Sequence, residues 1–274
     1  MTLPIPSVQL YSLAEQFSAD MGGSLDKLAA IGLKNVEAFD FVNRAPQLRA
    51  ALDASGLASP TGHAPLLSDT LWTPDGEIPT PAPEVVFEAA ATIGMKTVID
   101  PFVPAERWAT AEGVDDIAAR LNAANEVAKT FGLTVGYHNH AQEFVASFDG
   151  KTAYERAIAQ LDESIALELD LFWAYVGDQD VVALSRQLGS RLVAVHVKDG
   201  VKVPNPWGPE ASAEFASREL DQRHAGTAEV PLADAIRANE SIQLAVIEYD
   251  NAPGDVFEDI KASFDFLKNE ALAA

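Results

Sequence analysis

Eight times in 274 residues, a short apolar run is followed by a stretch with helical spacing. The runs are 7–10, 35–39, 57–62, 97–100, 133–138, 165–170, 192–197 and 242–248. Most are continuous rather than alternating, the pattern of strands buried on both faces of a parallel sheet. The stretches between them carry helix punctuation. Ser24 is placed to cap a helix that buries Leu25, Leu28 and Ala29 and stops at Gly32. Further helices are expected over 46–54, 84–93, 151–161, 181–188 and 232–238. The clearest has Val114, Ile117, Ala118, Leu121, Ala124, Ala128 and Phe131 at three- or four-residue spacing, with Gly132 after it. A last helix buries Val256, Phe257, Ile260, Phe264 and Leu267. Eight βα units in a chain of this length predict an α/β fold, a single (β/α)8 TIM barrel over residues 1–274. The glycine motifs of nucleotide-binding doubly wound sheets do not occur. Two connections stand out: 73–83, with four prolines, reads as a loop, and 201–227 has no clear period.

Charge and composition limit what such a barrel could do. Lys plus Arg is 19 and Asp plus Glu is 41, a net charge of −22. That surface repels nucleic-acid backbone and anionic lipid, so neither partner is expected. No segment approaches the roughly 18 apolar residues of a membrane span, and residues 1–7 do not read as a signal peptide. A cytoplasmic protein is the expectation. With no cysteine, any metal must be held by His, Asp or Glu.

Barrels of this kind place chemistry at the C-terminal ends of their strands. The polar residues there are Gln9, Glu37, His63, Asp100, the His138/His140/Glu143 group, Asp170, His196 and Glu248. A single histidine at a strand end is more often structural than catalytic. The set says more. Strands five to eight all end in acidic or imidazole groups, and such groups converging without a cation would repel one another and be poorly solvated. One histidine with three carboxylates favours Mn or Mg over Zn. Glu168 and Asp170 lie at i and i+2, one inside the barrel and one at its rim. Gly226-Thr227-Ala228 has a single glycine and makes no dedicated phosphate cradle.

The segments Y-H-N-H-A-Q-E-F (137–144), E-L-D-L-F-W (168–173), H-V-K-D (196–199), A-G-T-A-E-V-P-L (225–232) and V-I-E-Y-D (246–250), with V-Q-L-Y-S-L (8–13), stand in that order. Together they resemble the sugar phosphate isomerase/epimerase family, the xylose isomerase-like barrels related to endonuclease IV-type enzymes. The resemblance runs nearly end to end. It implies a divalent metal, Mn first with Mg, Co or Zn as alternatives, held by Glu, Asp, His and Glu from successive strands. Asp170, His196 and Glu248 fill the last three places. Many members carry a glutamate directly at the end of strand five, where this chain has Tyr137-His138. Glu143 is expected to be the first ligand, ahead of His138.

The resemblance implies a metal-dependent sugar isomerase or epimerase. It would abstract a proton next to a carbonyl through a metal-stabilised enediolate. Glu248 is expected as ligand and base, Glu143 as the second catalytic carboxylate and His140 as a competing base. His63, His138, Lys198, Gln9 and Trp173 are expected to contact substrate. Loss of a β-substituent from the same enediolate would make the protein a keto-sugar or keto-inositol dehydratase or lyase, the alternative kept here. An endonuclease or a non-catalytic sugar-binding protein ranks lower, since five histidines and a charge of −22 suit neither several zinc ions nor DNA. The expected partner is a small sugar or keto-sugar without phosphate, and a homo-oligomer is compatible with the chain.

Overall fold

The computed structural model describes residues 3–73, 76–209 and 220–274. Eight parallel strands form one ring: β1 (Ile5–Val8), β2 (Asn35–Ala38), β3 (Ala58–His63), β4 (Thr97–Asp100), β5 (Thr134–His138), β6 (Ala166–Asp170), β7 (Leu192–Val197) and β8 (Leu244–Ile247). Their order is β1-β8-β7-β6-β5-β4-β3-β2. A parallel bridge between Gln9 and Glu37 joins the two outer strands, giving the expected TIM barrel. The principal helices outside it are α1 (Met21–Ile31), α2 (Ala45–Ser55), α3 (Pro83–Ile93), α4 (Ala111–Thr130), α5 (Ala153–Ile158), α6 (Val181–Leu188), α7 (Leu232–Arg237) and α8 (Val256–Asn269). Among the described residues, no helix is long and apolar enough to cross a membrane.

Strand alternation divides the apolar residues into two cores. Leu167, Leu169, Val195, Val197, Ala245 and Ile247 belong to the large core that includes the helix faces. Ala194, Leu244 and Val246 form a separate cluster, as expected of residues turned into the barrel. Two positions further along β7 and past β8 come His196 and Glu248, so the polar residues stand on an apolar floor. Register brings neighbours level: Glu168 pairs with His138, and Asp170 with His196.

α4 follows the sequence reading. Thr110 caps it by accepting from the Gly113 N–H, and Val114, Ile117, Ala118, Leu121, Ala124 and Ala128 are buried. Four expectations are corrected. The first helix begins at Met21 and is capped by Asp20, whose side chain accepts from the Gly23 N–H, so Ser24 lies inside it rather than at its start. The first strand begins and ends two residues early, because the chain turns into the 3₁₀ turn Leu10–Leu13 directly after Gln9, which keeps its bridge to Glu37 and caps the turn, its side chain accepting from the Tyr11 N–H. Within 73–83 lies one strand of an antiparallel ribbon, Thr70–Thr73 paired with Gly76–Pro79. The prolines obscured it, although Thr70 and Leu71 suit a strand. α5 is shorter than 151–161, because Lys151–Thr152 pairs with Ser147–Phe148 and Thr152 with Glu155 forms a capping box. Of the long connection 201–227, residues 210–219 lie outside the described residues.

Candidate functional site

The inward residues at the C-terminal mouth form two polar layers. In the lower one, Glu37 from β2 and Glu168 from β6 face His63 from β3 and His196 from β7. His63 Nε2 lies 2.7 Å from Glu168 Oε2 and 3.1 Å from Glu37 Oε1. His196 Nε2 lies 2.9 Å from Glu37 Oε1 and 3.2 Å from Glu168 Oε2. Gln9 donates its amide to Glu37 Oε1 at 2.9 Å, and His138 Nδ1 is 3.2 Å from Glu168 Oε2. All but His63 are buried.

In the upper layer, Asp170 and Lys198 stand two residues beyond Glu168 and His196, and Glu248 joins them from the end of β8. His196 turns its other nitrogen, Nδ1, toward Glu248 Oε2 at 3.0 Å and Asp170 Oδ2 at 3.9 Å. His138 Nε2 is 3.8 Å from Asp170 Oδ2. Lys198 Nζ sits among three carboxylates, 3.0 Å from Asp170, 2.5 Å from Glu248 and 2.9 Å from Asp250.

The protein's own charges polarise these groups strongly. Burial alone would depress His63, but Glu37 and Glu168 outweigh it and raise it to about 9. His196 is likewise raised well above its ordinary value, against burial, by Glu168 and Glu248. Burial would raise Glu37 and Glu248, yet neighbouring cations hold both carboxyls well below the usual range. Asp170 is pushed up to about 6 by burial, against the pull of Lys198. Burial and the charge of His196 keep His138 low, and burial with Lys198 pushes His140 down to about 3. The site is therefore a crowded carboxylate cluster with two imidazoles that stay neutral.

The loop after β5 departs from expectation at one residue. Glu143 does not join the convergent set. Its Oε1 accepts from the Tyr137 hydroxyl at 2.6 Å and its Oε2 from the His140 N–H at 3.0 Å. Tyr137 and His138 point to opposite sides of β5, and Glu143 follows Tyr137. Burial pushes its carboxyl up to about 7. Its visible work is to hold the loop. Asn139 does the same from the other side, accepting from the Asp170 N–H at 3.0 Å and donating to the Asp170 carbonyl at 3.3 Å.

His63, His138, His140 and Glu248 line a cavity of 370 Å³ whose apolar wall includes Tyr11, Phe39 and Phe102. The residues lining it include no lysine or arginine. Tyr11 and Asp250 also line a second, polar hollow of 770 Å³. Beside His140 stand Phe102, Trp173 and Trp207, with ring centroids 5.5, 5.7 and 6.1 Å from its own. Trp207 comes from the connection after β7, anchored where Asn205 donates to the Ala141 carbonyl at 2.9 Å. Two buried ring nitrogens here, Trp173 Nε1 and His140 Nδ1, have no hydrogen-bond partner.

Other expected substrate contacts are already committed elsewhere. Gln9 is fully buried and bonded to Glu37 and the Tyr11 N–H. Lys198 is buried and spends its charge on Asp170, Glu248 and Asp250. Asp100, another strand-end acid, accepts from the N–H groups of Leu66, Leu67 and Phe102 and acts as a loop cap. The sequence reading gave no site role to Glu168, Asn139, Asp250 or Trp207. Only Glu168 had a usable signal, its i−2 spacing from Asp170.

The arrangement fits a divalent cation in the upper layer. Asp170 Oδ2 is buried and accepts no hydrogen bond, its closest partner being the Lys198 ammonium at 3.0 Å. His196 Nδ1 and Glu248 Oε2, if the ring is neutral and protonated at Nε2, are two acceptors only 3.0 Å apart. Asp170, His196 and Glu248 offer ligand atoms all within 4.8 Å of one another. A tetrahedral set with bonds of about 2.0–2.1 Å has edges of roughly 3.3 Å, within the spread seen here.

A family model described as xylose isomerase-like TIM barrel matches residues 25–270. No curated protein matches the sequence. Solved structures share the fold at low identity. A sugar phosphate isomerase/epimerase from Parabacteroides distasonis has a TM-score of 0.77 at 18% identity, covering 100% of this chain and 96% of its own. The IOLI protein with a bound zinc atom has a TM-score of 0.69 at 13% identity, covering 97% of each chain. A probable 3-DHS dehydratase of Bacillus anthracis has a TM-score of 0.69 at 11% identity, covering 97% of this chain and 99% of its own.

Proposed function

The chain belongs to the xylose isomerase-like TIM barrel family, and from that premise we propose that it is a divalent-metal-dependent sugar isomerase or epimerase. The observation that carries this reading is the convergence of Asp170 Oδ2, His196 Nδ1 and Glu248 Oε2, with His138 Nε2 3.8 Å from Asp170 Oδ2, beneath a cavity lined by no lysine or arginine. His138 takes the first-ligand place, and Glu143 supports the loop behind it. A cation bound there would polarise a carbonyl and its neighbouring hydroxyl and stabilise the enediolate charge. Two imidazoles and two carboxylates suit Mn, Co or Zn better than Mg.

The chain's own groups would manage the substrate and its protons. Glu248 and His140 reach the cavity from opposite flanks of the β6–β7 pair, so each can serve a different face of the sugar carbon. Phe102, with the tryptophans behind His140, gives the sugar an apolar surface and screens the reaction from water. The cationic side chain in the cavity lining is His63, and it is already paired with Glu37 and Glu168, so the substrate we propose is an unphosphorylated keto-sugar. The test is solvent deuterium wash-in at the carbon next to the carbonyl. Protein loaded with Mn or Zn should catalyse exchange into neutral keto-sugars, and chelator-treated protein should not. No exchange across a panel of keto-sugars and keto-inositols would overturn the reading.

A second reading, β-elimination from the same carbanion, is favoured by one observation. The glutamate expected to complete a two-glutamate epimerase site is bonded to Tyr137 and the loop instead. Under that reading, wash-in is accompanied by loss of water or of a β-substituent, visible by mass spectrometry.

The ligand assignment makes its own prediction. His138→Ala should lose most bound metal on dialysis, whereas Glu143→Gln should keep it, as measured by elemental analysis. The opposite pattern would return Glu143 to the ligand set.

A further inference from the structure

Glu168 is fully buried beneath the proposed metal site. Its Oε2 gathers three imidazoles: His63 Nε2 at 2.7 Å, His138 Nδ1 at 3.2 Å and His196 Nε2 at 3.2 Å. Its Oε1 is buried with no partner. A carboxylate whose interactions are gathered on one oxygen, while the other goes unused, is held for what that oxygen does.

We infer that Glu168 is a positioning residue that chooses which ring nitrogen of His138, and with Glu37 which ring nitrogen of His196, faces the metal site. This rests on the metal reading proposed above. A neutral imidazole carries one N–H, and an ionised carboxylate can only accept. The nitrogen next to Glu168 must therefore hold the proton. For His138 that is Nδ1, which leaves the Nε2 lone pair on the side of Asp170. His196 is an imidazolium in the metal-free protein, and on metal binding the proton it keeps is on Nε2, beside Glu37 Oε1 at 2.9 Å and Glu168 Oε2 at 3.2 Å, while Nδ1, on the side of Glu248 and Asp170, gives up its own. The two rings present opposite nitrogens to the same place. One carboxylate oxygen beneath them satisfies both, because the rings come from β5 and β7, the strands on either side of β6. Carboxylates behind histidine ligands fix ring orientation and raise ligand basicity, and their loss lowers metal affinity by about 10–100-fold.

The sequence contains the device in compressed form. In E-L-D, period two turns Glu168 and Asp170 to the same side of β6 at successive depths. The lower acid orients the rings and the upper one shares the metal site with them. Glu37 provides an internal control. It touches His63 and His196 but has no contact with His138 among the described hydrogen bonds and ion pairs.

The experiment uses full-length protein labelled with 15N-histidine, read by long-range 1H–15N NMR, together with zinc affinity measured by competition with a chelator. In metal-free wild type, His138 should be the Nδ1–H tautomer. Glu168→Gln should move it toward Nε2–H and weaken zinc binding about 10–100-fold. Glu37→Gln should leave the His138 tautomer unchanged. If Glu168→Gln does not fold, Glu168→Asp replaces it; a shortened acceptor should still weaken zinc binding and shift the tautomer. An Nε2–H tautomer for His138 in wild type would overturn the inference. So would a Glu168 variant with unchanged tautomer and zinc affinity. If wild type fails to bind zinc, the metal reading fails, and the tautomer of His138 in metal-free protein still decides the role of Glu168.

Discussion

Replacing His196 by alanine should empty the site of metal and destabilise the apo protein as well. This ring serves both polar layers and meets four carboxylates. Its Nδ1 faces Glu248 and Asp170, and its Nε2 lies between Glu37 and Glu168. Losing a direct ligand should weaken metal binding by more than the roughly 10–100-fold that follows loss of an outer partner. In the apo protein the imidazolium is also the main partner of buried carboxylates. Breaking a buried ion pair from one side costs about 3–5 kcal/mol, because the remaining charge is left without compensation. Elemental analysis after dialysis and urea unfolding read the two effects separately. Full metal retention in His196→Ala would remove the ring from the ligand set, and unchanged unfolding would remove it from the lower layer's charge balance.

The second large effect is expected outside the reacting groups, at Asp199. This residue follows Lys198 in H-V-K-D and is 1% exposed. Its Oδ2 accepts from the N–H groups of Gly226, Thr227 and Ala228, and its Oδ1 from those of Gly200 and Val230. The A-G-T-A-E-V turn is thus wrapped around one carboxylate. Gly226 is needed there twice over: its φ is +79°, and a Cβ would run into the Phe266 ring. Asp199→Ala removes the side-chain acceptor of the Gly200, Gly226, Ala228 and Val230 N–H groups, while Thr227 keeps the His224 carbonyl, and should cost about 4 kcal/mol. For a chain of this size that is a fall in Tm of about 10 °C. Hydrogen exchange at Gly226, Thr227 and Ala228 should quicken more than exchange in β4, on the far side of the barrel. Unchanged protection at those three amides would show that the turn stands without Asp199.

These two residues also mark what could be read from the chain alone. The barrel was legible because a strand buried on both faces leaves a continuous apolar run, and eight such runs followed by capped helices leave few alternatives. The strand-end position of Asp170, His196 and Glu248 was legible for the same reason. Partnerships across the barrel were not. Nothing near Gln9 in sequence reveals that its amide is spent on Glu37, 28 positions away. Glu143 was expected to reach the metal because it is the nearest carboxylate to strand five. The competing donor was adjacent in sequence all along. Tyr137 alternates with His138, so a group bonded to its hydroxyl must lie outside the barrel. Counting hydroxyl donors alongside carboxylates would have placed Glu143 against Tyr137. The ribbon at Thr70–Thr73 and Gly76–Pro79 was missed because proline content outweighed the strand-forming residues before it.

In the proposed site, His138, Asp170, His196 and Glu248 together hold one divalent cation and Glu143 does not. The most direct measurement is an anomalous-difference map from crystals grown with Mn or Zn and recorded on both sides of the metal absorption edge. The account predicts a single strong peak within bonding distance of His138 Nε2, Asp170 Oδ2, His196 Nδ1 and Glu248 Oε2, with Glu143 still bonded to Tyr137. A peak ligated by Glu143, or no peak between β5 and β8 in metal-saturated crystals, would contradict it.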